Sequence, residues 1–494
     1  MLRPHRILRA KLKPVFMIKV MTRVYRWLLY LVAFGLLTGC AARQEAPEPP
    51  QATLKLPEAF TRAGIPTVSA RWWQSFDDEQ LNHLVARALE GNFSLQASFQ
   101  RLRQARAVAQ RQGASLFPSL DATAGAQRQE SDAVTSETFS AGLSASYELD
   151  LWGRFQSLTR AEQLRASATF ADYQAAAVSL SGEVANVWFQ LVEQRAQYGL
   201  ARSQLETNSN VLKVIESRFA MGLSGSADVL RQRQLVSASR ERLSNIKGEI
   251  AVLEHQLAVL LGRSPGQPNL PVDDTLPALP PLPETGVPAQ LVQRRPDLRQ
   301  AWRLVKAADE ELAAAISNRF PRVSIEASVT TQASDASDLF DNWLSTLAGN
   351  MLVPLVDGGA LRAEVRRSRA VLEERLQQYR QAALTAIQEV EDALAREQQQ
   401  RRRIQSLENQ LQLADTTYLQ LRTQYLNGAV SYIEVLTALK EKQDLQRTIL
   451  LTRQQLLNVR VALYRALAGS IATGETPTDS ETDSAANRKE SSEA

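Results

Sequence analysis

The 494-residue chain has one cysteine, Cys40, and three histidines, His5, His83 and His255. A single thiol excludes an intramolecular disulfide and any multi-cysteine metal centre, and the histidines are too isolated from one another to form a metal or proton-transfer cluster. Glycine is scarce beside Gln, Arg, Ala and Leu, which speaks against a string of ordinary globular domains and for long helices in an elongated architecture. Excess charge is also missing: the net value is +4. Arg and Glu interleave along the helical stretches, the pattern of solvated helix faces and not of a nucleic-acid footprint. No Ser/His arrangement and no Gly-framed nucleophile elbow is present, and Asp357-Gly358-Gly359 lacks the Lys-Ser/Thr ending of a phosphate-binding loop. The chain is therefore expected to be no enzyme and to hold no metal and no dissociable cofactor.

What is present begins at the N-terminus. Arg23-Val24-Tyr25-Arg26 precedes the apolar run Trp27 to Leu37, which ends in Leu37-Thr38-Gly39-Cys40. A basic head, a short apolar core and small residues before a cysteine make a lipoprotein signal peptide. The apolar run is shorter than the roughly 20 residues that a helical span needs. The thiol of Cys40 takes a diacylglycerol and the new N-terminus an acyl chain, each buried CH₂ contributing ~0.8 kcal/mol to anchoring. Ala41 and Ala42 follow where an aspartate would hold a lipoprotein in the inner membrane, so outer-membrane delivery is expected. Met1, Met17 and Met21 are all open as the translation start. Residues 1–39 are thus assigned to extension and signal peptide, and 40–70 to a lipidated, Pro-rich tether.

Beyond the tether the chain repeats itself at about 206 residues, too long a period for a solenoid and suited to a duplicated half. Phe117-Pro118 returns as Phe320-Pro321, Tyr173 as Tyr379, Gly222 as Gly428, and Asp228-Val229-Leu230 as Glu434-Val435-Leu436. The halves are taken as 71–263 and 289–469, joined by a Pro-rich linker, 264–288. The tail, 470–494, is rich in Ser, Thr, Glu and Asp and is expected to be disordered.

Each half changes its hydrophobic period twice. Leu120, Ala122, Ala124 and Ala126 alternate with polar residues, as do Phe139, Ala141, Leu143, Ala145, Tyr147 and Leu149, and then Val323, Ile325, Ala327 and Val329. These are strands, apolar on one face, with a weaker fourth around Leu347 to Leu355. Their length suits the 9–11 residues, roughly, of a tilted transmembrane strand. Between the strand pairs, Gln156–Ala220, Ala227–Leu261, Ala360–Asn427 and Tyr432–Ala468 contain few breakers and are predicted helices. Ile404, Leu407, Leu411, Ala414, Tyr418, Leu421 and Tyr425 recur three and four apart, a coiled-coil seam. Short Gly-containing turns at Met221–Ser226 and Asn427–Ser431 fold the helices into antiparallel hairpins whose tips lie far from the strands. Four strands cannot close a barrel, and an open sheet leaves unsatisfied edges in lipid, so the chain must oligomerise; three copies supply twelve strands.

At this point the residues match a known family. Arg71-Trp72-Trp73-Gln74-Ser75-Phe76-Asp77-Asp78, Leu116-Phe117-Pro118-Ser119-Leu120, Tyr147-Glu148-Leu149-Asp150-Leu151-Trp152-Gly153-Arg154, Gln293-Arg294-Arg295-Pro296-Asp297-Leu298 and Pro354-Leu355-Val356-Asp357-Gly358-Gly359 occur in the order found in TolC-like outer-membrane factors. The chain resembles the OprM/NodT-type lipoproteins of resistance-nodulation-division efflux systems over nearly its whole mature length. The resemblance implies an α+β membrane protein: a homotrimer with four strands per chain in a shared twelve-stranded barrel, continued by a periplasmic helical barrel. It implies a periplasmic adaptor and an inner-membrane antiporter as partners, outer-membrane lipid around the barrel, and a passive duct for drugs or small solutes. It also implies a gate of Asp, Arg and Tyr side chains near the hairpin tips. The matching positions are Tyr425, Tyr432, Glu434 and, in the first half, Asp228, while Thr437 stands where many relatives carry Asp. Tyr425 is equally a seam residue, and Glu434 equally a solvated carboxylate. Two other readings stand beside the duct: the channel of an ABC-type protein secretion system, and a lipidated periplasmic adaptor, against which the duplicated strand-and-helix pattern argues.

Overall fold

The computed structural model describes residues 56–65, 68–131, 135–266, 275–469 and 471. Cys40, the signal segment, the start of the tether, part of the linker and the tail beyond Ile471 lie outside the described residues. The chain forms two compact units: Gly113–Thr159 with Asp309–Arg369, and the remaining described residues, including Arg160–Ala308 and those from Ala370 on.

The first unit is a sheet of four antiparallel strands in the order β1-β2-β3-β4: Ser119–Glu130, Thr135–Leu149, Arg322–Ala333 and Trp343–Leu352. The register sets like against like. Leu120 faces Ala145, Ala122 faces Leu143 and Ala126 faces Phe139 across β1 and β2; Leu143 then faces Val329, and Ala327 faces Leu347. Since side chains alternate between faces, these pairs build one apolar face over all four strands. Leu120 and Leu347 on this face are 71% and 79% exposed, so this unit leaves much of its apolar side uncovered. The opposite face pairs Asp121 with Ser144, Ser146 with Glu326 and Ser140 with Gln332. β4 begins four residues before the predicted start and ends three earlier, at Leu352. Pro354 has no N–H to give a ladder, and Trp343-Leu344 lacks the alternation that marks the other strands.

Both strand-to-helix transitions are built by an aspartate. Asp150 accepts the N–H groups of Phe155 and Gln156 at 3.0 and 2.8 Å, and Asp357 those of Gly359 and Leu361, each at 2.8 Å. The N–H groups of Leu361 and Gly359 hold the Asp357 carboxyl below its ordinary range. An acceptor at a helix start satisfies donors that have no intrahelical partner. Trp152 reinforces the first transition, donating Nε1–H to Pro321 O at 2.7 Å and stacking on Phe320 at 4.9 Å.

The helical unit holds α1 (Glu79–Gly91), nearly all of α2 (Phe93–Gly113), most of the long α3 (Arg154–Ala220), α4 (Ser226–Leu260), the short α5 (Pro288–Arg294), the first part of α6 (Pro296–Ser317), most of the long α7 (Ala360–Leu426) and α8 (Tyr432–Leu467). α3 and α7 have 67 residues each, about 100 Å at 1.5 Å per residue. The long helices begin and end within two residues of their predicted limits. The core gathers around Trp72, Trp73 and Phe76, on a short 3-10 turn, with Trp188, Phe189 and Tyr464. Trp72 stacks on Tyr464 at 5.7 Å, and Asp78 both caps α1 at Leu81 N and accepts Trp188 Nε1–H at 2.7 Å. Arg295 grips Asp297 and Glu389 at 2.6 and 2.7 Å. Arg460 and Glu397, 0% and 1% exposed, form a bidentate pair at 2.8 and 2.9 Å, and Arg460 also donates to the carbonyls of Pro280 and Pro281 in the linker.

Candidate functional site

The tips of the two hairpins repeat one backbone design. Gly222 and Gly428 sit at φ +73° and +76°, a left-handed conformation that glycine adopts without steric penalty. Gly222 N–H bonds Phe219 O and Leu223 N–H bonds Arg218 O; about 206 residues on, Gly428 bonds Tyr425 O and Ala429 bonds Gln424 O. These reversals bring the ends of α3 and α7 and the starts of α4 and α8 into one cluster. Ile215 and Val229 of the first hairpin pack there with Tyr418, Tyr425, Tyr432, Val435 and Leu436 of the second.

Tyr425 and Tyr432 are 8% and 3% exposed, their rings 5.5 Å apart, and the predicted seam from Ile404 to Tyr425 is buried or half-buried throughout. Tyr425 receives the Arg218 guanidinium over its ring at 4.8 Å, and its hydroxyl reaches Ser224 Oγ at 3.5 Å. Ser224 in turn donates to Asp228 at 3.2 Å, and Asp228 pairs with Arg231 at 3.4 Å. Tyr432 donates to Gln232 Oε1, whose amide donates to Asn208 O at 2.7 Å. Burial, then the neighbouring Tyr425, Asp228 and Tyr418, push the Tyr432 hydroxyl pKa up, so it remains a donor at any physiological pH. The structure thus joins Asp228, Tyr425 and Tyr432 in one contact between the hairpins.

Glu434 and Thr437 stand apart from that contact on an exposed face of α8. Glu434 accepts from Ser431 N at 3.2 Å and from Ser431 Oγ at 2.9 Å, a helix-start bond of the capping-box type. Thr437 turns its hydroxyl back to Ile433 O at 2.8 Å.

Sequence reasoning passed over the polar ladder that continues from the tyrosines. Asn208, Gln232 and Gln443 are buried, 0%, 0% and 5% exposed. Gln443 donates to Asn208 Oδ1 and Asn208 to Ser239 Oγ, each at 2.9 Å. Gln204 donates to Gln446 Oε1 at 2.9 Å and accepts from Arg447 at 2.7 Å, while Gln197 donates to Arg447 O at 2.9 Å. The spacing of Gln197, Gln204 and Asn208 on α3, seven and four apart, was the available signal. A seam of amides fixes register between helices through paired donors and acceptors.

Comparison with known proteins agrees with this architecture. The outer membrane efflux protein family matches residues 84–263 and 287–469. The chain is 33% identical over 464 residues to the pyoverdine export outer membrane protein OpmQ of Pseudomonas aeruginosa, covering 89% of this chain and 96% of OpmQ. It is 28% identical over 459 residues to the cation efflux system protein CusC of Escherichia coli, covering 88% and 96%. The solved outer-membrane channel OprN superposes with a TM-score of 0.77 at 27% identity, over 88% of this chain and 99% of OprN. With four antiparallel strands, long helical hairpins and both halves matched, the chain belongs to the outer membrane efflux protein family, non-enzymatic channels of TolC-like fold with a periplasmic helical domain.

Proposed function

We propose that three copies of this chain close edge to edge, β4 of one against β1 of the next, into a twelve-stranded barrel that serves as the passive exit duct of a tripartite efflux pump. The observation that carries the reading is the open sheet. Among the described residues β1 and β4 each have one neighbour, and the sheet presents a continuous apolar face. In lipid each unpaired backbone group costs several kcal/mol, so the edges must pair. The strands alternate in direction, so β4 meets the next β1 antiparallel, like every other pair. The Ser, Thr, Gln and Glu face then lines a wet lumen. A periplasmic adaptor and a resistance-nodulation-division antiporter complete the pump, and acyl chains on Cys40 hold it to the outer membrane. The names of OpmQ and CusC attach one scaffold to pyoverdine and to cations. A duct without a substrate pocket accommodates such a range, and here drugs or other small solutes are the expected cargo. The contact of Asp228, Tyr425 and Tyr432 is read as the closed gate, with Glu434 and Thr437 tuning the charge of its mouth.

The test combines the oligomeric mass of cross-linked, detergent-extracted protein with its single-channel conductance in planar bilayers. A trimer with small, mostly closed currents is expected; a monomer without channel activity overturns the reading. Glu434→Ala and Thr437→Asp are expected to shift cation preference in opposite directions, and unchanged currents in both would remove these positions from the gate.

A further inference from the structure

Beside the tyrosine contact, α3, α4 and α8 line an open groove of about 500 Å³. Four cationic side chains line it: Arg231 and Arg242 from α4, Lys440 and Arg447 from α8. The lining has a single carboxylate, Asp444, already paired with Arg447 on its own helix. Arg231 has Asp228 one turn back on α4. Among the described residues, Arg242 and Lys440 make no ion pair. An adjoining cavity of about 470 Å³ shares Arg242 and Arg447, so the positive lining extends along the groove. The acid in that second lining besides Asp444 is Glu193, which is bonded to the amides of Gln194 and Gln197 and to no cation.

Like charges gathered from two helices repel unless a counter-charge lies between them. The imbalance is felt at Arg447, whose pKa is pushed down to about 10, first by burial and then by Arg242. Guanidinium groups are suited to oxyanions, since two parallel N–H donors match two oxygens of a phosphate or carboxylate. A cavity of this size falls within the range that takes a small molecule, roughly 300–1,000 Å³. We propose that the groove between α4 and α8 is a binding site for a small polyvalent oxyanion, bearing phosphate or carboxylate groups, which bridges the first hairpin to α8 of the second. Because its donors come from both hairpins, the anion favours their packed arrangement and opposes their separation. All four cations belong to one chain, so the site does not depend on the trimeric duct.

The experiment uses the full chain in detergent, with pyrophosphate and citrate titrated at constant ionic strength and the melting temperature followed. A saturable rise with half-saturation below about 1 mM is expected for at least one of them. The stronger of the two identifies phosphate or carboxylate as the preferred group. Arg242→Gln combined with Lys440→Gln is expected to weaken the response at least tenfold while leaving oligomeric mass unchanged. Arg402→Gln combined with Arg403→Gln removes the same charge from the exposed face of α7 and is expected to leave the response intact. A response that does not saturate, or that is equal in the two double variants, overturns the site. A response to polyglutamate alone overturns the small-ion assignment in favour of an acidic polypeptide. A monomeric mass on the same sample counts against the duct and leaves this outcome readable.

Discussion

Leu191 on α3 and Glu397 on α7 occupy equivalent places in the two halves, about 206 residues apart, and both are buried, at 0% and 1%. In the first half the position joins an apolar core with Trp188 and Phe189. In the second it carries a charge, met by Arg460, which stands where the first half has Glu254. Glu254 makes only a half-exposed pair with Arg195 at 2.6 Å, whereas Arg460 is fully enclosed and also holds the carbonyls of Pro280 and Pro281. One backbone has thus been stabilised in two ways: by burial of apolar surface in the first half, and by a desolvated ion pair that also fastens the linker in the second. The two halves thus share helix length and tip geometry and differ in the side chains that hold them.

The largest expected effect separates these two solutions. Glu397→Leu gives the second half the residue of the first but leaves Arg460 buried without its counter-charge, a loss of about 3–5 kcal/mol. Denaturant titration of the helical circular dichroism in detergent measures it. Adding Arg460→Met should restore most of the loss, because a well-packed apolar pair replaces a buried ion pair at little cost. Failure of the double variant to recover would assign the stabilisation to the linker carbonyls that Arg460 holds.

The next comparison lies within the tyrosine seam. Tyr432→Phe removes the donor to Gln232, whose amide is fully buried, and leaving that acceptor unpaired costs about 1–3 kcal/mol. Tyr425→Phe gives up only a 3.5 Å contact to Ser224 and should fall below about 0.5 kcal/mol by the same measurement. Equal losses would mean that the two hydroxyls share one network and not two.

The long helices were legible because their limits are punctuated by Gly222, Gly428 and proline, and the first three strands because apolar and polar residues alternate without interruption. β4 was legible only in its second half, since Trp343-Leu344 places apolar side chains on both faces. The tyrosines were visible as members of a heptad, but their partners Gln232, Asn208 and Gln443 were not. Glutamine is abundant on the exposed faces as well, and only tertiary packing distinguishes a buried amide from a solvated one. Ser431 and Glu434 carry the sequence signature of a helix start, and the carboxylate, expected as a mouth or surface charge, accepts from Ser431 N and Oγ at the start of α8. Asp357-Gly358-Gly359, which lacks the ending of a phosphate loop, caps the start of α7.

The tips offer a control in which the two halves should agree. Gly222 and Gly428 have almost the same positive φ, and nothing lies within 4 Å of a Cβ built at either. Alanine there bears only the conformational penalty of a left-handed residue, about 1 kcal/mol. Gly222→Ala and Gly428→Ala should therefore lower stability equally, and a difference would show that the tips are not equivalent backbones.

The smallest effect concerns a position where the halves differ in charge: Glu193 is buried, and its counterpart Gln399 is exposed. Burial pushes the Glu193 carboxyl pKa up, against the lowering effect of the amides of Gln197 and Gln194. A carboxyl whose folded pKa is raised keeps its proton in the native state after the unfolded chain has released it. Its contribution is fully present below the unfolded value of 4.5 and is lost as pH climbs through the raised native value. Glu193→Gln replaces it with a group that stays neutral, so the variant should gain on the wild type as pH rises from 4.5 towards neutrality and then run parallel to it. Paired melting curves at pH 4.5 and 7.5 give the sign. If the variant instead loses ground at the higher pH, the ionised carboxylate is being stabilised by Arg447 and Arg242 across the groove, and their positive field outweighs the cost of burial.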